Sequence, residues 1–125
     1  MALKYKAVRH QLPQQADKYY ARACNRHLVT LDDLAALISR NSSASRADVV
    51  LVLTALTDLV PALLVQNNSV QLGELGTVSL HLNSKGEATE EEVNHRSVKE
   101  VRVHFRAGLK FKRQLKDLHF ERIKK

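Results

Sequence analysis

Val101-Arg102-Val103-His104-Phe105-Arg106-Ala107-Gly108 alternates strictly, with Val101, Val103 and Phe105 facing one way and Arg102, His104 and Arg106 the other. A period of two marks a β-strand, because successive side chains leave a pleated backbone on opposite faces. One face of this strand is apolar and suits a core. The other presents cations to whatever lies outside. Gly108 ends the pattern, and a short basic helix over about Leu109–Leu118 carries Lys110, Lys112, Arg113 and Lys116 onward.

Upstream, Val78, Leu80 and Leu82 alternate with Thr77, Ser79 and His81, which predicts a second strand. Gly73 and Gly76 punctuate its start and mark a sharp bend. Residues 83–100 between the two strands are polar, with a Glu90–Glu92 run, and read as a loop or an extended arm. Before them, Thr30 with Asp33 three residues later approximates a capping box, and Leu31, Leu34, Ala35 and Ile38 follow at helical spacing to about Arg40. Ser45 and Asp48 restart a second, longer helix that runs to about Gln66. Pro61 lies within it and is expected to kink it, since proline lacks a backbone donor. Val49, Val52, Leu53, Leu56, Leu59, Val60, Leu63 and Leu64, widened by Val50, Leu51 and Ala55, leave too much of this helix apolar for one-sided packing. A short chain supplies little core thickness, so a dimer is the simpler way to bury it. At the N-terminus Ala2–Arg9 alternates and Lys18–Ala23 follows after Pro13, suggesting a hairpin or an edge addition, and His119–Ile123 reads as a last strand.

The chain has 125 residues, one domain's worth, with 20 Lys and Arg against 13 Asp and Glu, a formal charge of +7. That charge sits at the ends: residues 1–27 carry +5 and 101–125 carry +7, while 28–82 carry −3 and 83–100 carry −2. Concentrated positive charge favours polyanions, whether nucleic acid or an acidic membrane surface. No apolar run is expected to approach the roughly 20 residues that span a bilayer, so no membrane partner is predicted. A single cysteine, Cys24, rules out an intrachain disulfide and fits a cytoplasmic setting.

Six histidines, His10, His27, His81, His95, His104 and His119, are scattered without ligand spacing, although the strand faces bring His81 and His104 within possible reach of each other. Cys24 has no nucleophile signature, and phosphate-binding glycine loops and G-x-S-x-G are absent. No enzyme, cofactor, metal or small-molecule substrate is expected.

The order helix, longer helix, glycine-bent strand, polar arm, strand and short basic helix resembles the bacterial histone-like HU/IHF family. Val70-Gln71-Leu72-Gly73-Glu74-Leu75-Gly76-Thr77-Val78 is similar to that family's V-Q-L-P-G-F-G-T-F, and Val103-His104-Phe105-Arg106-Ala107-Gly108 to its V-P-A-F-K-A-G. The likeness covers about 30–118, flanked by an N-terminal strand extension (1–29) and a C-terminal basic tail or strand (119–125), as in a divergent HU-like branch. It implies an α+β fold: an intertwined homodimer with a helical base, an antiparallel β-saddle and β-arms, seated on double-stranded DNA in the nucleoid. Arg106 matches the family's basic residue before A-G and inherits a phosphate contact. Lys110 and Lys112 are added from helix position, and Arg102, His104, Arg113, Lys116, Lys4, Lys6 and Arg9 from their place in the basic segments. The family's arm carries a basic tract and an R-N-P tip, whereas residues 83–100 have no proline and a net negative charge. Intercalation and strong bending are therefore not expected. The alternative is a protein-interaction module on an HU-like dimer core whose arms no longer bind DNA.

Overall fold

The computed structural model describes residues 2–124; Lys125, the end of the predicted basic tail, and Met1, the start of the N-terminal extension, lie outside them. The strands form two three-stranded sheets, and the longer of two packed helices meets the second of them. Strands β1 (Ala2–His10) and β2 (Lys18–Ala23) form an antiparallel hairpin, and β6 (His119–Arg122) joins β1 in parallel, giving the order β2-β1-β6. The C-terminal strand thus shares a sheet with the N-terminal hairpin. The second sheet contains β3 (Val70–Gln71), β4 (Gly76–Ser84) and β5 (Val98–Ala107), in that order and all antiparallel.

The helices begin where side chains satisfy their first free N–H groups. In α1 (Leu31–Arg40), the Asp33 N–H donates to Thr30 Oγ1 at 3.2 Å while the Thr30 N–H donates to Asp33 Oδ2 at 3.0 Å, a complete capping box. The Thr30 backbone N–H foremost, and the Thr30 side chain after it, favour the ionised carboxylate and hold the Asp33 pKa below its ordinary value. In α2 (Arg46–Leu64), Ser45 Oγ accepts from the Asp48 N–H at 3.1 Å. Ala35 of α1 and Val49 of α2 are buried, and the two helices pack against each other. The helix α2 runs past Pro61 for nearly another turn and ends with Asn67 in the left-handed region, φ 70°, where Asn68 Nδ2 donates to Leu63 O at 2.9 Å.

Two expectations change. The α2 segment is a continuous 19-residue helix whose mean hydropathy reaches 1.9, long and apolar enough to cross a membrane by length and composition. Thr54, Thr57, Asp58 and Pro61 interrupt the apolar run when it is read residue by residue, but a helix averages them over its whole length. The polar segment between β4 and β5 is also shorter than an 18-residue arm. The ribbon zips up as far as the Asn83–Glu100 pair and closes through a bulge at Ser84. A compact loop follows, pinned by Ser97, which is 1% exposed: its Oγ accepts from the Asn94 N–H at 3.2 Å and donates to Glu87 Oε2 at 3.2 Å.

Very little of the chain is enclosed. Among the described residues the buried apolar side chains are Ala35, Val49 and Leu64. The accessible surface is 11095 Å², against about 6,700 Å² for a compact monomer of this mass. On α2, Leu51 and Val52 are 69% and 66% exposed.

Candidate nucleic-acid interface

The β4–β5 register pairs Thr77 with Arg106, Ser79 with His104 and His81 with Arg102, so hydroxyls, imidazoles and guanidiniums share one face of the ribbon. The opposite face pairs Val78 with Phe105, Leu80 with Val103 and Leu82 with Val101. This separation of polar from apolar is the two-residue period made three-dimensional.

Glycine sets the base of the ribbon. Gly73 has φ 55° and Gly76 φ 150°, and the turn between them lets the Leu72 N–H donate to Gly76 O at 2.8 Å. A Cβ on Gly76 would strike Arg106 O and the Phe105 ring. Gly108 lies equally close to Glu74 O, and its N–H donates to Leu75 O at 3.0 Å. The Gly73–Leu75 turn is thereby seated against the start of α3 (Leu109–Leu115), which Phe111 ties to the ribbon through an edge-on contact with Phe105, centroids 6.4 Å apart.

The cations on this surface differ in how free they are. Arg102 Nε and Nη2 both lie 2.7 Å from Glu100 Oε1, which also accepts from Asn83 Nδ2 at 3.2 Å. Lys110 Nζ is 3.5 Å from Glu74 Oε2. Arg106 is exposed and, among the described residues, has no carboxylate within 4 Å. It stands between two clefts. One, of about 310 Å³, is lined by Ser69, Thr77, Ser79, His81 and His104; the other, of about 230 Å³, runs past Gly76 and Gly108 to Lys112. The imidazoles of His81 and His104 stack with centroids 4.3 Å apart and planes inclined by 20°. Lys110 and Arg113 border a further cleft beside Gly73 and Glu74, and Lys116 caps the C-terminal end of α3.

Of the residues predicted for the site, the structure gathers Arg102, His104, Arg106, Lys110, Lys112 and Arg113 around the ribbon and the start of α3. It does not bring Lys4, Lys6 and Arg9 to the same sheet: they lie on β1, and Arg9 pairs with Asp17 at 2.7 Å. Thr77, Ser79 and Ser69 join the predicted residues at this surface. The signal for the first two was present, since they alternate with Val78 and Leu80 and must share a face with His81. Among the described residues no group of three or more His, Cys, Asp or Glu side chains could hold a metal ion.

An antiparallel glycine-hinged ribbon with a polar, cation-bearing face, set beside a capped helical pair and a short basic helix, defines an α+β protein with an HU-like domain. The family model described as "HU domain fused to wHTH, Ig, or Glycine-rich motif" matches residues 1–122, and the chain belongs to that family, HU-HIG. No curated protein matches it in sequence. A solved crystal structure described as a "Putative bacterial DNA binding protein from Bacteroides vulgatus ATCC 8482" shares the fold, with a TM-score of 0.62 at 13% identity. The likeness covers 98% of this chain and 49% of that one, so this chain spans about half the length of its structural neighbour.

Proposed function

We propose that this chain is a non-enzymatic, histone-like protein that binds double-stranded DNA largely without regard to sequence. Contact runs along the phosphate backbone through the Thr77–Ser79–His81 and His104–Arg106 face of the ribbon and through Lys112, Arg113 and Lys116. The observation that carries this reading is Arg106, an exposed guanidinium unpaired among the described residues, between two hydroxyl- and amide-lined clefts. Hydroxyls, imidazoles and guanidiniums donate to phosphate oxygens and carry little base information. Family membership and the description of the structural neighbour point the same way.

The binding form is a homodimer. The excess surface of about 4,000 Å² relative to a compact monomer is ample for an obligate interface. It includes α2 and the apolar face of the ribbon, where Leu82 and Val103 are 67% and 71% exposed. Burying α2 against a second copy, with the two ribbons forming a saddle, accounts for its apolar circumference without a membrane. Cytoplasmic, nucleoid-associated location follows from that role. The 30–118 segment is the DNA-binding unit, and the strands at either end are its addition.

A gel-shift titration on duplexes of unrelated sequence over a salt series tests this. Affinity falls linearly with log salt, and Arg106→Glu weakens all duplexes alike and lowers the slope by about 0.9 or more. A dissociation constant that ignores salt refutes it. The acidic loop with Glu87 and Glu90–Glu92, at the end of the ribbon, favours a second reading, an interaction module for a basic protein partner. On that reading, charge reversal at Arg106 leaves partner capture intact.

A further inference from the structure

The terminal sheet also has two unlike faces. Register places Lys4, Lys6 and His10 of β1 on the same side as Arg22, Tyr20 and Lys18 of β2, and alternation puts Leu3, Tyr5 and Ala7 on the other. Lys6 is directly opposite Arg22. Like charges so placed destabilise a sheet. Glu121 of β6 is paired in register with Lys4, yet among the described residues none of Lys4, Lys6, Lys18 and Arg22 has a carboxylate within 4 Å. All four are exposed. Beside them Tyr20, 51% exposed, meets the edge of His10 with ring centroids 5.8 Å apart, and a shallow depression runs from Val8 past both rings to Arg22.

We infer that this face is a second nucleic-acid surface, separate from the ribbon, and that it takes a single strand. A self-repelling row of cations is relieved by a polyanion. A half-exposed aromatic ring within that row offers a stacking surface to an unpaired base, which a duplex keeps inside its own stack. The aliphatic side chains that line the depression among the described residues, Val8 and Leu12, are both half-buried and offer little to a lipid layer. Lys4, Lys6, Lys18 and Arg22 hold the backbone, and Tyr20, braced by His10, holds a base. The inference does not depend on duplex binding by the ribbon, because the two sheets share no strand.

The test is fluorescence anisotropy of the full chain with a labelled oligothymidylate, a labelled duplex, and vesicles of mixed phosphatidylserine and phosphatidylcholine. Lys6→Glu with Arg22→Glu is expected to weaken oligothymidylate binding about tenfold and to lower its salt slope by about 1.4, two contacts' worth, with duplex binding changed less than about twofold. Tyr20→Ser is expected to cost about fivefold or more for the single strand and to leave the salt slope alone. Lys6→Gln, which relieves the opposed charges, raises the melting temperature while weakening the single strand, so lost binding is not lost folding. The proposal is overturned if the charge reversal leaves oligothymidylate affinity unchanged, if single-strand and duplex binding fall together, or if the face binds vesicles and no oligothymidylate.

Discussion

Arg102 and Glu100 lie two residues apart on the same face of β5, and that pairing gives the ribbon a built-in competitor for phosphate. Both Arg102 donors reach one carboxylate oxygen at 2.7 Å, with the two side chains 72% and 45% exposed. An exposed pair of this kind is worth about 0–1 kcal/mol, so a phosphate that captures Arg102 gives up at most that amount, about a fivefold loss in affinity. Glu100→Gln removes the competitor and keeps an oxygen that can still accept the Asn83 amide. Duplex affinity should rise by up to about fivefold at low salt, and the salt slope should steepen by about 0.9 as one more counterion is released. Unfolding free energy in urea should move by less than about 1 kcal/mol. The assay is a fluorescence titration of Glu100→Gln and the unaltered chain side by side across a salt series. If Glu100→Gln binds no tighter and its slope is unchanged while Arg106→Glu loses affinity, Arg102 lies outside the interface. If neither variant changes anything, the ribbon face is not where DNA sits.

Three further outcomes follow from the geometry. Gly76→Ala forces a side chain onto Arg106 O and the Phe105 ring at φ 150°; it should lose about 2 kcal/mol or more in urea unfolding, and wild-type stability would refute the close-packed hinge. Thr30→Ala removes the cap of α1, at a cost of about 1 kcal/mol. Because Asp33 has a lowered pKa when folded, its contribution is present above the ordinary carboxylate range and lost as pH falls through the folded value. Thr30→Ala keeps the backbone N–H that lowers Asp33 most and loses only the side-chain part, so the acid side of its stability–pH profile should be slightly shallower, and unchanged stability at neutral pH would count against the cap. Leu51→Glu or Val52→Glu places a charge on the exposed apolar side of α2; sedimentation should show the dimer dissociating, whereas an unaffected mass would place the interface elsewhere.

Local patterns carried far in the sequence. The alternation of Val101–Arg106 is the β5 strand, Thr30 and Ser45 are the observed N-caps, and Gly73 and Gly76 are where the chain turns into the ribbon. Each depends on forces that act within a few residues: pleat, cap and backbone sterics. The site was partly legible for the same reason, because a strand's alternation fixes which residues share a face even before its partner is known. The length of α2 as an apolar span was less visible, since its polar interruptions weigh more in a linear reading than around a helix.

By itself, the sequence determined the elements, their faces and the placement of positive charge at the two ends, since propensity, period and charge are properties of neighbouring residues. Only the tertiary structure decided which cations are free. Glu74 reaches Lys110 through a turn seated on Gly108, and Asp17 returns to Arg9 across a hairpin, pairings between residues 36 and 8 positions apart. It also decided that β6 returns to pair with β1, placing the first and last strands in one sheet that shares no strand with the ribbon. Such contacts depend on loop closure and register summed over the whole chain, and no local window contains them.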